Sequence, residues 1–277
     1  MSTPPPKVSV VLPAYNEENI IGDIIQRITE TLTKGDYSFE DIVIDDGSTD
    51  KTAINAEEAG ARVFCHPYNI GNGAAIKTGI RNANGKIIVM MDADGQHPPE
   101  DIPRLIEKID PYDLVVGARA KESDSAIHRD IANSAYNLLA SYVSGRRIED
   151  LTSGFRAIKA SAVRGFVYLL PNKFSYPTTL TLATLRTGRS VAYVPIVSPR
   201  RVGKSKIRLF RDGVRFLLII LRIATFYSPL KIFIPISALM FLTGFSCGLF
   251  KVLALDLPYG PTSAMLMTIS VVVFMVG

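Results

Sequence analysis

The sequence predicts an α/β fold, in which a mostly parallel sheet is flanked by helices and followed by apolar helices towards the C-terminal end. Two observations support this prediction. Over roughly the first 120 residues, short apolar runs alternate with segments whose apolar residues recur at helical spacing. From residue 232 onwards, the chain contains two long stretches without charged side chains. The length of 277 residues and the hydrophobic content of 47% suit one sizeable domain with an additional segment.

The order of the elements in the first part predicts how the sheet is built. The predicted strands are 7–13, 40–46, 61–66, 86–92 and 113–117, and the predicted helices between them are 17–33, 50–59, 73–83 and 99–109. Strands separated by helices of about ten residues predict βαβ units and therefore a mostly parallel sheet. In such sheets, ligands bind at the carboxyl ends of the strands.

Three of the predicted strands end in polar residues, at Pro13–Glu17, Asp45–Ser48 and Asp92–Asp94. All three ends would lie along one edge of the sheet. Asp92 and Asp94 share a face if the chain is extended, and the repulsion between two such carboxylates is offset by a bound cation. The pair therefore predicts a divalent-cation site, in which both carboxylates hold the ion or one of them also holds a sugar hydroxyl.

The segment NIGNGAAIKTG, residues 69–79, predicts a tight turn that leads into a helix. The spacing of its glycines does not fit the fingerprint of dinucleotide-binding proteins. We expect the N-terminal N–H groups of this helix to face an anion. Lys77 lies one turn into the helix, where it either serves the same anion or is simply solvated.

The two uncharged stretches predict a transmembrane helical hairpin over residues 230–277. The first, 232–250, lies between Lys231 and Lys251 and would span about 28 Å as a helix. Proline and glycine at 258, 260 and 261 predict the turn between the two helices. The second stretch stops abruptly at residue 277, so we expect its helix to be truncated. The alternative is a buried core helix. Two such apolar stretches in tandem are difficult to bury in a domain this small.

A basic amphipathic segment, 204–229, precedes the hairpin. On a helix, the basic residues that fall within an arc of about 60° are Lys204, Arg208, Arg211, Arg215 and Arg222. This pattern predicts a helix in the lipid headgroup region, and the alternative is an ordinary helix that caps the domain core. Nine Lys and Arg residues against one acid between 200 and 231 place the N-terminal domain, 1–203, in the cytoplasm. Two distant cysteines, Cys65 and Cys247, predict no disulfide framework and fit a reducing compartment.

Seven short segments carry a resemblance to a known family. They are VVLPAYNEE (10–18), VIDDGSTD (43–50), NIGNGAA (69–75), MDADGQHPPE (91–100), GAR (117–119), DLTSGFRA (150–157) and RRVGKSK (200–206). Each is a weak pattern alone, but their order and spacing together are specific. The chain resembles the inverting family 2 glycosyltransferases of GT-A fold, and more narrowly the polyprenyl-phosphate glycosyltransferases typified by dolichol-phosphate mannose synthase.

The resemblance implies a nucleotide-sugar site at the strand ends. The residues implied for it are Pro13, Tyr15, Glu17, Asp45, Asp46, Gly73, Lys77, Asp92, Ala93, Asp94 and Gln96. Of these, Asp45 or Asp46 is expected to accept a hydrogen bond from the base. Simpler alternatives are that Glu17 complements a helix dipole and that the segment after Asp46 is a plain turn with a helix cap.

The resemblance also implies Mg²⁺ or Mn²⁺ bridging the diphosphate, with Asp92 and Asp94 as ligands and Gln96 as a further ligand or a contact to the sugar. We interpret His97 as a turn histidine with satisfied hydrogen bonds rather than as a further ligand. Gly95 departs from the leucine that is commoner in the family, and its place near the sugar leaves the identity of the donor sugar open.

The predicted acceptor is a lipid phosphate, which is already anionic at neutral pH and therefore needs cations rather than a general base. By resemblance, the best candidates to hold it are Arg119, Arg129 and Arg200. Further candidates are Ser134, Arg201, as an alternative to Arg200, and Lys206. The simpler alternatives are a helix-surface serine at Ser134 and attraction of the basic residues to lipid headgroups.

These features predict an enzyme that transfers a sugar from a nucleotide-diphosphate donor, GDP-mannose being favoured over a UDP-sugar, to polyprenyl phosphate. We expect membrane lipids as partners and no nucleic acid, and the sequence leaves a homo-oligomer open. A processive polysaccharide synthase of the same fold would carry a Gln-x-x-Arg-Trp motif, and this chain contains no tryptophan. A transferase acting on a protein or a soluble sugar would gain little from the basic helix. A non-catalytic membrane scaffold is the alternative of a different class.

Overall fold

The computed structural model describes residues 7–120, 127–173, 175–197 and 229–277 together with positions 218, 221 and 225, and for 127–133 it describes the backbone alone. The chain divides into two compact units, Met1–Phe216 and Leu217–Gly277. The first contains the sheet and its helices, and the second contains the apolar hairpin.

The first unit is a seven-stranded mixed sheet. Its strands are β1 (Val8–Ala14), β2 (Phe39–Asp45), β3 (Arg62–Cys65), β4 (Ile87–Met90), β5 (Leu114–Arg119), β6 (Arg156–Lys159) and β7 (Val191–Ile196). Their order in the sheet is β3-β2-β1-β4-β6-β5-β7. Only β6 runs antiparallel to its neighbours, β4 and β5. The prediction of a mostly parallel sheet flanked by helices is confirmed.

The helices cover both faces of the sheet. They are α1 (Ile21–Lys34), α2 (Thr52–Glu58), α3 (Asn72–Asn82), α4 (Ile102–Lys108), α5 (Ile127–Ser144), α6 (Ala160–Val163) and α7 (Tyr176–Arg186), with short 3₁₀ turns at Pro99–Asp101 and Val167–Leu169. One core lies between the sheet and α1 and α4, and the other between the sheet and α3, α6 and α7. Along β1, Val10 and Leu12 face the first core while Val11 faces the second. A central strand buried on both faces is continuously apolar, as the sequence of β1 is.

Two strands of the sheet were not among those predicted. β6 inserts between β4 and β5, and β7 pairs with β5 at the edge. β6 has only four residues and contains Arg156 and Lys159, so it shows no apolar run. It is recognisable only from its pairing with β4 and β5.

The second unit is a helical hairpin of α8 (Pro229–Leu255) and α9 (Pro261–Val276), with the turn at the predicted position. By length and composition α8 could cross a membrane, and α9 is apolar but shorter. Gly244 and Gly248 allow close packing: a Cβ at Gly248 would lie 2.2 Å from the ring of Tyr259. Leu239 and Met275 are among many exposed apolar side chains, which suits an outer surface in contact with lipid. The predicted interfacial helix, 204–229, lies almost wholly outside the described residues and stays a prediction.

Within the first unit, Asp41 on β2 is a buried carboxyl group that accepts little hydrogen bonding. It is 8% exposed, its Oδ1 has no hydrogen-bond partner, and its Oδ2 accepts one long bond of 3.4 Å from Thr29. Burial is the main cause that raises the pKa of Asp41 from 3.8 to about 7, with a smaller contribution from Glu40 and against the effect of Thr29. The folded chain therefore keeps this group protonated over a range of pH in which the unfolded chain ionises it.

We expect Asp41→Asn to stabilise the protein increasingly as the pH rises from about 4 to about 7. Between the unfolded and folded pKa values the folded state binds one more proton, so the free energy of unfolding of the wild type falls with pH, by up to about 4 kcal/mol. An asparagine does not ionise, which removes this loss. Thermal unfolding across that range measures the effect, with Asp36→Asn at an exposed position as the control. A constant difference between Asp41→Asn and wild type at every pH would contradict the prediction.

Candidate active site

Hydrogen bonds between the loops that follow β1 and β2 bring two of the polar strand ends side by side. Asn16 adopts a left-handed conformation with φ of 56°; its N–H donates to Ser48 Oγ at 2.9 Å, and its Oδ1 accepts from the N–H of Thr49 at 2.9 Å. The N–H of Glu17 donates to Thr52 Oγ1 at 2.9 Å. These bonds place at one edge of the sheet the predicted residues Pro13, Tyr15, Glu17, Asp45 and Asp46.

Asp46 holds the loop that leads into α3. Its carboxylate accepts the N–H groups of Ile70 at 3.0 Å and of Gly71 at 2.8 Å. It also contacts Nδ1 of His66 at 2.7 Å, while Nε2 of His66 lies 2.9 Å from Thr78 Oγ1. Because the acceptor is a carboxylate, Nδ1 of His66 donates to Asp46. Asp46 therefore stabilises the loop that leads into α3.

Asp45, one residue earlier, is 5% exposed, and its Oδ1 accepts hydrogen bonds from the N–H and the hydroxyl of Ser48. This is the plain turn considered as the simpler alternative. Since the oxygens of Asp46 are engaged by the loop, Asp45 is the better candidate of the two for contact with a base, and that role stays a prediction.

The N-terminus of α3 is covered by the segment before α7. The N–H of Ala74 donates to the carbonyl of Asn172 at 3.0 Å. A Cβ at Gly73 would lie 2.1 Å from the carbonyl oxygen of Pro171, and one at Gly71, where φ is 125°, would lie 2.4 Å from that of Asn172. The prediction that the first N–H groups of this helix face an anion is therefore wrong for Ala74, because a backbone carbonyl takes that place.

Gly73 and Lys77 accordingly have packing roles in α3. Gly73 is buried beneath the backbone of residues 171–173, and Nζ of Lys77 donates to Oδ1 of Asn172. Burial lowers the pKa of Lys77, and the nearby Arg81 adds to this effect. Participation of Gly73 and Lys77 in a nucleotide-sugar site stays a prediction.

Asp92 follows β4 and is held from three sides. Its Oδ1 accepts a hydrogen bond of 3.0 Å from Nδ2 of Asn72, and its N–H donates to Nδ1 of His97 at 3.1 Å. On the third side lies Gly154, where an added Cβ would be 2.6 Å from Oδ2 of Asp92. The ring of His97 stacks on Phe155 at 5.4 Å, and burial lowers its pKa, so the neutral ring accepts at Nδ1. The hydrogen bond at Nδ1 agrees with the interpretation of His97 as a turn histidine, and its exclusion from the metal site stays a prediction.

Asp94, Gly95 and Gln96 form the turn after Asp92. Oδ1 of Asp94 accepts the N–H of Gln96 at 3.2 Å, and all three residues are partly exposed. Gly95 has a φ of 76°, a left-handed conformation that strains any side chain with a Cβ. The glycine that departs from the family pattern is therefore required by the backbone of this turn.

The oxygen atoms of this turn fit a hard divalent cation that is completed by a substrate. Among the described residues no group of three or more His, Cys, Asp or Glu side chains could hold a metal without help. Mg²⁺ is usually bound by one or two carboxylates together with substrate phosphates and water, and it does not need a cage made wholly of protein. Two carboxylates and one amide, held at the end of a buried strand, match that requirement.

Arg119, at the end of β5, is paired with a buried carboxylate. Its Nε donates to Oδ2 of Asp150 at 2.9 Å and its Nη2 donates to Oδ1 at 3.1 Å, and Nη2 also donates to Oγ1 of Thr152. Asp150 further accepts the N–H groups of Arg119, Thr152 and Ser153. Burial alone would raise the pKa of Asp150, but the hydrogen bonds and charge of Arg119 bring it below its usual value. The two hydrogen bonds to Asp150 fix the edge of the guanidinium group that carries Nε and Nη2.

Arg156, on β6, organises the loop between Asp150 and Phe155 and was not singled out from the sequence. Its side chain is fully buried. It donates to the carbonyls of Leu151, Ser153 and Pro177 at 2.6–3.0 Å and to Oγ1 of Thr181 at 2.6 Å. The loop that presents Gly154 to Asp92 is thereby tied to α7. The sequence gives no signal for this role, because β6 is not recognisable as a strand and the several partners that a buried charge needs come from distant segments.

The other predicted acceptor residues are described only in part. Ser134 is exposed on α5, as expected for a helix-surface serine. The side chain of Arg129 and all of Arg200, Arg201 and Lys206 lie outside the described residues. Their assignment to an acceptor phosphate stays a prediction.

Two family models match the chain. The model described as glycosyl transferase family 2 matches residues 9–167, and that described as GtrB C-terminal hairpin matches residues 228–277. An undecaprenyl-phosphate 4-deoxy-4-formamido-L-arabinose transferase of Klebsiella pneumoniae is 31% identical over 271 residues, 94% of this chain and 80% of the relative. A dodecaprenyl-phosphate galacturonate synthase of Rhizobium johnstonii is 31% identical over 166 residues, 57% of this chain and 49% of the relative.

Solved structures share the fold of the first unit. A glucosyl-3-phosphoglycerate synthase from Mycobacterium tuberculosis, in complex with Mn²⁺, UDP and phosphoglyceric acid, superposes with a TM-score of 0.64 at 25% identity, over 79% of this chain and 78% of that chain. A further mycobacterial protein superposes with a TM-score of 0.63 at 27% identity, over 78% and 74% of the two chains. This likeness confirms the predicted GT-A architecture.

Proposed function

Because the chain belongs to glycosyl transferase family 2, we propose that this glycosyltransferase moves a sugar from a nucleotide-diphosphate donor to polyprenyl phosphate. The observation that carries the proposal is the extent of the match to a polyprenyl-phosphate transferase. That match spans 94% of the chain, and a separate family model covers the apolar hairpin. A hairpin with an apolar outer surface suits an enzyme whose acceptor is a membrane lipid.

The residues at the sheet edge support a single displacement that inverts the anomeric carbon. An oxygen of the acceptor phosphate forms the new bond to that carbon, and the bond from the carbon to the donor diphosphate breaks. The nucleoside diphosphate leaves with the electron pair, and no proton has to be removed because the attacking phosphate is already an anion. Asp92, Asp94 and Gln96 would hold a divalent cation, which would supply positive charge to the departing diphosphate. Arg119 is the described candidate for orienting the acceptor phosphate.

We propose a UDP-sugar as the donor, with GDP-mannose as the alternative that the sequence favoured. Support comes from the structure of similar fold, which was solved with UDP and Mn²⁺. The relatives are named for a formamido-arabinose and a galacturonate rather than for mannose.

The three predicted parts of the chain fit this proposal. We place the catalytic domain, 1–203, in the cytoplasm, the basic segment 204–229 at the membrane surface, and the hairpin 230–277 in the bilayer, which makes a multi-pass membrane protein. The excess of basic residues before the hairpin supports this orientation.

The proposal is tested with the purified full-length chain in proteoliposomes. The chain is incubated with polyprenyl phosphate, Mg²⁺ or Mn²⁺ and a panel of UDP- and GDP-sugars, and the lipid fraction is analysed by mass spectrometry. One glycosylated polyprenyl phosphate identifies acceptor and donor together. A parallel reaction with 3-phosphoglycerate tests a soluble phosphorylated acceptor, and a product there alone would overturn the lipid assignment. Absence of both products and of nucleotide-sugar binding would favour the scaffold.

We expect Asp150→Asn to raise the KM for polyprenyl phosphate about tenfold with a smaller change in kcat. Arg119 would lose its charged partner and part of its fixed orientation, and hydrogen bonds to charged groups contribute about 1.5–3 kcal/mol. Steady-state kinetics with varied acceptor measure the effect, and the KM for the nucleotide sugar is the internal control. Asp113→Asn is a matched variant, since Asp113 also accepts from a backbone N–H but lies just before β5, at the opposite end of the strand from Arg119. An unchanged acceptor KM in Asp150→Asn would contradict a role for Arg119 at the phosphate.

A further inference from the structure

Asn72, the first residue of α3, makes a hydrogen bond to Asp92, and the roles described so far do not explain this bond. Its Nδ2 donates to Oδ1 of Asp92 at 3.0 Å. Its Oδ1 is buried and has no hydrogen-bond partner. Buried polar atoms without partners are rare in native proteins, and they are often found where a functional arrangement is maintained at the expense of stability.

The position of Asn72 is fixed by its neighbours in the chain. Gly71 and Gly73 stand on either side of it, and both lie too close to the backbone of Pro171 and Asn172 to carry a Cβ. The N–H of Ala74 is bonded to the carbonyl of Asn172 in the same region. The start of α3 is therefore held against the segment before α7, and the side chain of Asn72 is brought to the same place beside Asp92.

The orientation of the amide group is also determined. With Nδ2 towards Asp92, a donor meets an acceptor, whereas the flipped amide would set an oxygen against the carboxylate. The orientation that serves Asp92 is the one that leaves Oδ1 of Asn72 unpaired. The contact thus orients the carboxylate of Asp92, and it leaves the side-chain carbonyl of Asn72 buried without a hydrogen bond.

We propose that Asn72 is a positioning residue that orients Asp92 and thereby sets the affinity of the site for its divalent cation. The inference rests on the proposed function, because it assumes that Asp92 is a metal ligand. Partners of metal ligands in the outer shell orient those ligands, and their removal usually weakens metal binding about 10- to 100-fold. A residue of this kind affects how much cation is needed rather than how fast the loaded enzyme works.

The unpaired oxygen gives the proposal a distinctive consequence. Removal of the whole amide in Asn72→Ala removes the buried unpaired carbonyl as well as the bond to Asp92, and Asp92 is partly exposed and can be hydrated. The metal-free protein should therefore keep its melting temperature or gain a little, while the site binds its cation less well. A residue with a purely structural role would change stability and binding in the same direction.

The experiment compares wild type, Asn72→Ala and Asn82→Ala as purified full-length chains. Asn82 is the last residue of α3, and its Nδ2 donates only to the carbonyl of Thr78 in the same helix, which makes it a matched control. Mn²⁺ binding in the presence of UDP is measured by electron paramagnetic resonance. The melting temperature is measured after chelation of metal, and kcat is measured at saturating Mn²⁺. If Asn72→Ala does not fold, Asn72→Ser is measured in its place.

We expect about a tenfold higher Kd for Mn²⁺ in Asn72→Ala, with an undiminished melting temperature, kcat close to that of wild type, and Asn82→Ala binding Mn²⁺ as wild type does. Equal Kd values in wild type and Asn72→Ala would overturn the inference while the metal site stands. A lowered melting temperature accompanied by weaker binding would overturn it in favour of a structural role. A wild-type chain that binds no Mn²⁺ with UDP, and none with GDP in a repeat of the measurement, would overturn the metal assignment and the inference with it.

Discussion

Asp94→Ala is expected to reduce turnover at least about a thousandfold while the chain stays folded. Asp94 is partly exposed, and its Oδ1 accepts the N–H of Gln96 within the turn that follows β4. Its removal should therefore cost little stability. The departing diphosphate would lose the cation that offsets its charge, and electrostatic stabilisation of this kind is commonly the largest contribution to catalysis.

The measurement is glycolipid formation under single-turnover conditions, with thermal unfolding as the check on folding. Asp23→Ala is the matched control, because Asp23 is an exposed aspartate on α1 that makes one long ion pair with Arg27. Near-wild-type turnover of Asp94→Ala would remove Asp94 from the metal site. Equal loss in both variants would point to an effect of net charge.

Gly154→Ala is expected to lower activity at least about a hundredfold, because a methyl group would displace a carboxylate that must be correctly placed. The added Cβ would lie 2.6 Å from Oδ2 and 3.2 Å from Cγ of Asp92. The carboxylate of Asp92 cannot move aside without breaking its bond to Asn72, and the bond from the backbone N–H of Asp92 to His97 holds the main chain in place. The φ of Gly154 is outside the left-handed range, so its backbone conformation does not require a glycine. The glycine is needed because Asp92 approaches it closely.

Mn²⁺ binding and turnover of Gly154→Ala should fall together, and both are measured against Gly165→Ala. Gly165 has no atom within 4 Å of an added Cβ and no positive φ, so the same substitution there should be tolerated. Full activity of Gly154→Ala would show that Asp92 has room to move and that its present position is not required.

Features that depend on one stretch of sequence could be predicted. The alternation of apolar runs and helical spacing predicted β1 to β5 and α1 to α4, although strand and helix ends differ by a few residues. Asp92 and Asp94 were predicted to lie at a strand end because polar residues directly follow an apolar run. The turn between α8 and α9 was predicted because its prolines and glycine interrupt an apolar sequence.

Features that depend on contacts between distant segments could not be predicted in this way. Whether the N-terminus of α3 is open depends on Pro171 and Asn172, which are about a hundred residues further along the chain. The bond from Asn72 to Asp92 depends on where α3 is placed against β4. Arg156 is explained only when the loop and α7 are both in position around it. In each case the local sequence is compatible with several surroundings, and tertiary packing selects one.

The insertion of β6 between β4 and β5 determines the distance between the two sides of the candidate active site. The turn proposed to hold the cation follows β4, and Arg119 ends β5. With one strand between them, the two are separated by two interstrand spacings, about 10 Å. This span is set by backbone hydrogen bonds of the sheet, so substitutions of side chains leave it unchanged. Relatives that use different sugars would then share one fixed opening and differ in the side chains that line it. Efforts to alter donor choice should accordingly address those side chains and leave the strands intact.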